Sequence, residues 1–203
     1  MTKLKIAVII SSTRDTRFGP IPARWIADLA GKRDDMEIEV VDLKSFELPF
    51  FNEASSNAWG PSKDPAAVAW QNKIGEFDGY IIVTAEYNRA LTGAMKNAFD
   101  QAYVEWNNKP IAFLGYGGLG AARAVDNGRT VAIELQMVPI RNGVHIGGGE
   151  YVKVAHKRQP ISDIEEAILP SAKAMLDQLA WWGWTTKAGR EGRIPELAAP
   201  SKG

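Results

Sequence analysis

The stretch LKIAVIISSTRDTRFGP, residues 4–20, decides the fold. Leu4 to Ile10 is a short apolar run rich in branched side chains. Such a run suits a strand covered on both faces, as the strands of a parallel sheet are. A polar loop from Ser11 to Gly19 follows. Prolines at 20 and 22 then mark a helix start, since proline in the first turn gives up no N–H that the helix would use. Ile21, Trp25, Ile26 and Leu29 give that helix an apolar stripe. Strand, polar loop and helix together open a βα unit.

Outward from this unit the alternation repeats. Met36 to Leu43 reads as a second strand and Tyr80 to Thr84 as a third. Between them, residues 44–63 form a long loop with Leu48, Phe50, Phe51 and Trp59; loops of this length in compact domains are commonly functional or interaction segments. Asp64 is placed to cap a helix that starts at Pro65 and runs to about Glu76. Leu91, Ala94, Met95, Ala98, Phe99, Ala102, Tyr103 and Trp106 follow helical spacing and predict a helix over 91–106. Ile111 to Leu114 is a fourth strand, a helix is expected over about 119–137, and Ile140 to Ile146 is a fifth strand. Ser162 with Glu165 reads as a capping box before a last helix, which Pro170 is expected to kink or divide. Residues 1–186 read as a single domain and 187–203 as a polar tail. Five strands alternating with helices predict an α/β three-layer sandwich, with a parallel sheet in the order 2-1-3-4-5 and helices on both faces.

The 203 residues carry 24 Lys plus Arg and 24 Asp plus Glu, a formal net charge of +0. That balance speaks against a nucleic-acid or membrane partner gripped through overall charge. With 0 cysteines, disulfides, thiolate nucleophiles and thiol redox centres are excluded. Two histidines, without a metal-binding spacing, leave no expectation of a metal site. No G-x-S-x-G elbow is present, so serine-hydrolase chemistry lacks its signature. The N-terminus shows no cleavage-site pattern and no run approaches the length of a membrane span, so a cytoplasmic protein is expected.

In open α/β sheets, ligands gather at the carboxyl ends of the strands. Three segments leave strands there. Ser11 to Gly19 combines hydroxyls with Arg14 and Arg17 and runs into a helix N-terminus, where free amides and the helix dipole favour an anion. Gly115-Tyr-Gly-Gly-Leu-Gly120 matches G-x-G-x-x-G, but the acid nearest the required distance, Glu134, falls in a helix; a dinucleotide site is not assigned. Bare glycine backbone still lets a flat ring approach main-chain amides. Ala85-Glu86-Tyr87-Asn88-Arg89-Ala90 is polar, with one aromatic, and by itself reads as a capped turn.

Together these loops resemble the NADPH-dependent FMN reductase family, whose fold is flavodoxin-like. The resemblance rests on Ser11-Ser12-Thr13-Arg14, on Ala85-Glu86-Tyr87-Asn88 with Met95-Lys96-Asn97-Ala98, and on Tyr116-Gly117-Gly118, and it covers residues 4–146. Ser11 stands where the family usually has glycine, and Ala85 where it usually has proline. The resemblance implies that Ser12, Thr13, Arg14 and Arg17, with the backbone of Phe18 and Gly19, hold the phosphate of FMN. It implies that Ala85, Glu86, Tyr87 and Asn88 run beside the isoalloxazine ring, largely through backbone groups, with Gly117 and Gly118 at its pyrimidine edge. It further implies NADPH or NADH as hydride donor, a small-molecule electron acceptor (free flavin, quinone, azo compound or metal oxyanion), no acid–base side chain for hydride transfer, and a homodimer or homotetramer that uses the long helix. The competing readings are an electron carrier like a flavodoxin, which the +0 charge disfavours, and a flavin-free scaffold. His145 on an apolar strand reads as structural, and His156 lies in a basic loop. Tyr87 and Tyr116 read as near the ring without a chemical role.

Overall fold

The computed structural model describes residues 3–193. Strands β1 (Leu4–Ile10), β2 (Met36–Asp42), β3 (Gly79–Ala85) and β4 (Pro110–Tyr116) pair in parallel in the order β2-β1-β3-β4. The expected fifth strand is split. β5 (Val138–Pro139) pairs with Pro110 and Ile111, and β6 (Val144–Ile146) pairs with Leu114 to Tyr116, both on the free edge of β4. The break has local causes. Pro139 has no N–H for a ladder, the Asn142 amide donates to Gln178 Oε1, and the Asn142 side chain donates to the Ala174 carbonyl. The interval therefore turns toward the last helix instead of continuing along β4.

Strand alternation builds two cores, because successive side chains of a strand point to opposite faces. Leu4, Ile6, Val8 and Ile10 meet Ile26 of α1 (Pro20–Gly31) and Met175 and Leu179 of α6 (Glu165–Arg190). Ala7 and Ile9 face the opposite layer, with Trp70 and Ile74 of α2 (Pro65–Gly75), Phe99 of α3 (Gly93–Asp100), and Val125 of α4 (Ala122–Glu134). The three-layer sandwich and the 2-1-3-4-5 order are those expected, with β6 as a minor addition.

Several boundaries move. The expected helix over 91–106 is helical only through Asp100, yet Ala102 and Trp106 remain buried. Turns carry them onward, and Trp106 packs edge-on to Tyr80, 4.7 Å between centroids. Thr92 starts α3: its hydroxyl accepts from the Met95 amide and donates to the Ser11 carbonyl. The helix expected over 119–137 is Ala122–Glu134. Asp64 caps α2 through the amides of Ala66 and Ala67, as expected. Ser162 does not cap the last helix. It lies in a 3-10 turn, Ile161–Ile164, and α6 has no side-chain cap. Pro170 lies inside α6, which runs on through it without a division although the proline removes one i→i−4 hydrogen bond. Ile21 is exposed rather than part of the α1 stripe.

The expected tail begins too early. α6 continues to Arg190, and its last turn is fastened to the body by Lys187 and Arg190, both 2.8 Å from Asp78 Oδ1. The part of that tail from residue 194 lies outside the described residues. Among the described residues no helix is long and apolar enough to cross a membrane.

Candidate functional site

The carboxyl ends of β1, β3 and β4 open into one cavity of about 450 Å³, within the range of small-molecule and cofactor sites. Its lining brings together Ser12, Arg14, Arg17 and Phe18 from the first loop, Ala85, Glu86 and Tyr87 from the second, and Gly117 and Gly118 from the third. Three segments far apart in sequence thus meet because their strands are neighbours.

The first loop is rich in unspent donors. From Ser12 to Phe18 no backbone amide donates to a carbonyl among the described residues, and α1 has no side-chain cap at Gly19. Free amides at a helix N-terminus suit an anion. The two arginines are not equivalent. Arg17 is committed: it pairs bidentately with Asp42 at the end of β2 and donates to the Ser12 carbonyl at 2.8 Å. Arg14 is exposed and forms no ion pair among the described residues, so its guanidinium is the one available to a ligand. Thr13 is placed differently from its neighbours. Its side is the rim of a second cavity, of about 400 Å³, with Leu43, Leu48, Phe50 and Gly93.

Gly19 is buried beneath the site, where a Cβ would stand 2.9 Å from Tyr116 Oη and 3.2 Å from Ile10 Cγ2. Burial pushes the Tyr116 hydroxyl well above its ordinary range, so it stays protonated. Ser12, 2% exposed, shares a 3.2 Å hydrogen bond with Tyr87 Oη. The floor of the cavity is therefore neutral and hydroxyl-rich.

In the second loop, Tyr87 and Ala90 exchange backbone hydrogen bonds of 3.0 and 3.1 Å around Asn88 and Arg89, whose φ values are 50° and 71°. Two left-handed residues in succession make a type I′ turn, and asparagine tolerates that conformation better than most. Asn88 is thus exposed at the turn tip and does not line the cavity, unlike its expected neighbours. Glu86 lines the cavity, but its carboxylate is engaged at α4. Its carboxylate accepts from the Arg123 and Ala124 amides at 3.1 and 3.3 Å, capping α4, and pairs with the Arg123 guanidinium. Burial pushes its carboxyl up, but Arg123 and these amides outweigh it and hold the group below the usual range.

The glycine turn supplies open backbone. Gly117 has φ 141°, which disfavours a side chain, and nothing lies within 4 Å of the Cβ position at either Gly117 or Gly118. His145 supports this turn from behind, its Nδ1 2.8 Å from the Gly120 carbonyl. Among the described residues no cluster of His, Cys, Asp or Glu is arranged to hold a metal.

The matching family model is that of the NADPH-dependent FMN reductases, over residues 4–150. The chain belongs to that family. Its members are oxidoreductases that use FMN and NAD(P)H. Among curated relatives, an NAD(P)H-dependent FMN reductase of Nectria is 36% identical over 59% of this chain and 63% of its own length, so the match spans less than two thirds of that protein. A second, from Schizosaccharomyces pombe, is 33% identical over 66% of this chain and 68% of its own. A 2-hydroxy-1,4-benzoquinone reductase of Burkholderia is 34% identical over 66% and 73%. The solved structure of a flavoenzyme NAD(P)H:(acceptor) oxidoreductase from Paracoccus denitrificans superposes with a TM-score of 0.68 at 21% identity, over 90% of this chain and 98% of that one, and supports the flavodoxin-like fold.

The residues present fit the FMN of the family: unpaired amides and a free arginine for the phosphate, and bare glycine backbone for the ring edge. The lining also includes Thr16, Tyr116, Tyr151, Ala155 and His156. Tyr151 and His156 escaped the sequence reading because no motif marks them. The signal for them was the glycine run 147–149, which leaves β6 at the same end of the sheet as the other loops.

Proposed function

We propose that the chain is a single FMN-binding domain that oxidises NADPH or NADH and reduces a small-molecule acceptor. The observation that carries this reading is the convergence of three loops on one cavity whose anion-facing amides are unpaired. Arg14 and the amides from Ser12 to Phe18 bind the phosphate, and Arg17 shapes that loop through Asp42. Ala85 and the backbone through Tyr87 lie along the ring. Gly117 and Gly118 present amides to the pyrimidine edge, where donors stabilise negative charge. Bound FMN supplies the hydride-accepting and hydride-donating centre. Named activities of relatives, quinone and azo reduction, support a planar organic acceptor. A nicotinamide donor made inside cells supports a cytoplasmic setting.

The chain is also proposed to work as a homodimer or homotetramer. Phe50 and Trp59, 86% and 85% exposed, stand on two separate hollows, Phe50 beside Gly93 and Asn97 of α3 and Trp59 beside Gln71 and Val104, and large apolar side chains left bare in this way favour a covered face. Sedimentation of wild type against a Phe50→Glu, Trp59→Ser double variant tests this. A monomeric wild type overturns it.

The function is tested by titrating purified protein with FMN and then adding NADPH without oxygen. The expected result is a bound-flavin spectrum that bleaches on NADPH addition. Absence of FMN binding overturns the cofactor reading. Binding without bleaching overturns the reductase reading.

A further inference from the structure

Beyond β6 the chain forms α5 (Gly148–Tyr151) and a single π-helical turn, Val152–His156. Such turns are rare and occur frequently at functional sites. This one, beyond the residues matched by the family model, carries His156 onto the cavity wall beside Tyr151, the last residue of α5. Val154 is buried in the α1–α6 core, and the Lys157 and Gln159 amides close on the carbonyls of Val152 and Lys153, so the turn is anchored. The Tyr151 ring is fixed on three sides. It is edge-on to Phe18 at 5.7 Å, stacked on Tyr116 at 6.5 Å and edge-on to His156 at 5.4 Å. The His156 imidazole is exposed, and neither nitrogen has a hydrogen-bond partner among the described residues.

Reduction of a quinone or azo bond by hydride leaves an anion on the acceptor until a proton arrives. The other ionisable groups on the cavity wall are engaged or unsuited. Glu86 is held ionised by Arg123. Arg14 and Arg17 do not release protons at working pH. Tyr116 is locked protonated by burial, and Tyr87 is hydrogen-bonded to Ser12. Imidazole is the side chain that exchanges a proton between about pH 5 and 8.

We propose that His156 is the proton donor to the acceptor reduced in this cavity, with Tyr151 as the residue that positions its ring. The proposal rests on the cavity being the FMN site. FMN, once bound and reduced, would supply the hydride and with it both electrons for the quinone. The imidazolium N–H bond breaks as the hydroquinone O–H bond forms, and neutral His156 regains its proton from solvent. Facing charges are Arg14 and Arg17 from the first loop and Glu86 after β3, with Lys153 and Lys157 on its own turn.

The test uses FMN-loaded wild type and His156→Gln in rapid-mixing experiments at pH 6. For the variant, reoxidation by 1,4-benzoquinone is expected to slow roughly 100-fold, the scale of general acid catalysis, and its pH dependence to flatten. Reoxidation by ferricyanide, which takes electrons without protons, is expected to slow far less than reoxidation by benzoquinone. Binding of the 2-hydroxy-1,4-naphthoquinone anion, read from the flavin spectrum, is expected to be tighter at pH 5.5 than at pH 8 in wild type and pH-independent in the variant. An unchanged benzoquinone rate, or equal slowing with ferricyanide, overturns the proposal. Wild type that binds no FMN overturns the reading of the site, and the proposal with it.

Discussion

Glu86, just past the end of β3, caps α4 by accepting from the amide of Arg123 and pairing with its guanidinium. One carboxylate thereby joins the loop after β3 to the loop after β4, two walls of the same cavity. Replacing it with alanine removes a helix cap, a loss of about 0.5–2 kcal/mol, and uncouples the two walls. Glu86→Ala is therefore expected to lower the urea midpoint and weaken FMN binding together. Because the folded-state carboxyl is held below its ordinary value, its contribution is present above the unfolded value and is lost as pH falls through the folded one. The wild-type advantage over Glu86→Ala should accordingly shrink in acid unfolding series.

The two arginines of the first loop are expected to separate. Arg14→Ala removes the free guanidinium, and a hydrogen bond to a charged group contributes about 1.5–3 kcal/mol, roughly tenfold to hundredfold in affinity. Fluorescence titrations should show this loss for FMN and not for riboflavin, which has no phosphate. Arg17→Ala breaks the pair with Asp42 and should lower stability as well as affinity. Equal losses for FMN and riboflavin in Arg14→Ala would place the phosphate elsewhere.

Gly19 is packed against Tyr116, and Gly19→Ala would drive a methyl to 2.9 Å from the phenol oxygen. Overpacking of this kind costs about 1–3 kcal/mol. Pairing it with Tyr116→Phe removes that oxygen, and the double variant should recover part of the unfolding free energy, as a double-mutant cycle measures. Strict additivity would contradict the contact.

At the opposite end of the sheet, burial first and the Arg190 guanidinium second pull the Lys109 ammonium down to about 8. Its Nζ lies 3.2 Å from the Gly75 carbonyl and 3.1 Å from Tyr80 Oη. An unfolded lysine titrates near about 10.4, so between about pH 8 and 10 the unfolded chain holds a proton that the folded chain does not, and stability rises with pH by up to about 3 kcal/mol. Burial raises the Tyr80 phenol, which opposes further gain above about pH 10. Urea unfolding at pH 7.5 and 9.5 should show the rise in wild type and its loss in Lys109→Met.

Strand and helix alternation was legible because it is a local property. An apolar run covered on both faces, a proline at a helix start and the Asp64 cap each act within a few residues, and so does the supply of amides from Ser12 to Phe18. These gave the alternation, from which the handedness of crossovers predicted the sheet order, and located three walls of the cavity. Even the apolar spacing from Leu91 to Trp106 marked side chains that are buried, with Ala94 and Tyr103 partly so, although burial can be reached through turns as well as through a helix. Which arginine is free could not be read that way. Arg14 and Arg17 have the same chemistry, and only the parallel pairing of β1 with β2 brings Asp42 to one of them. The split of the last strand, the duty of Glu86 at α4 and the arrival of Tyr151 and His156 at the cavity were likewise decided by tertiary structure. Hydrogen bonds and ring contacts act over a few ångströms, and the chain-distant groups that satisfy them become neighbours only once the sheet has assembled.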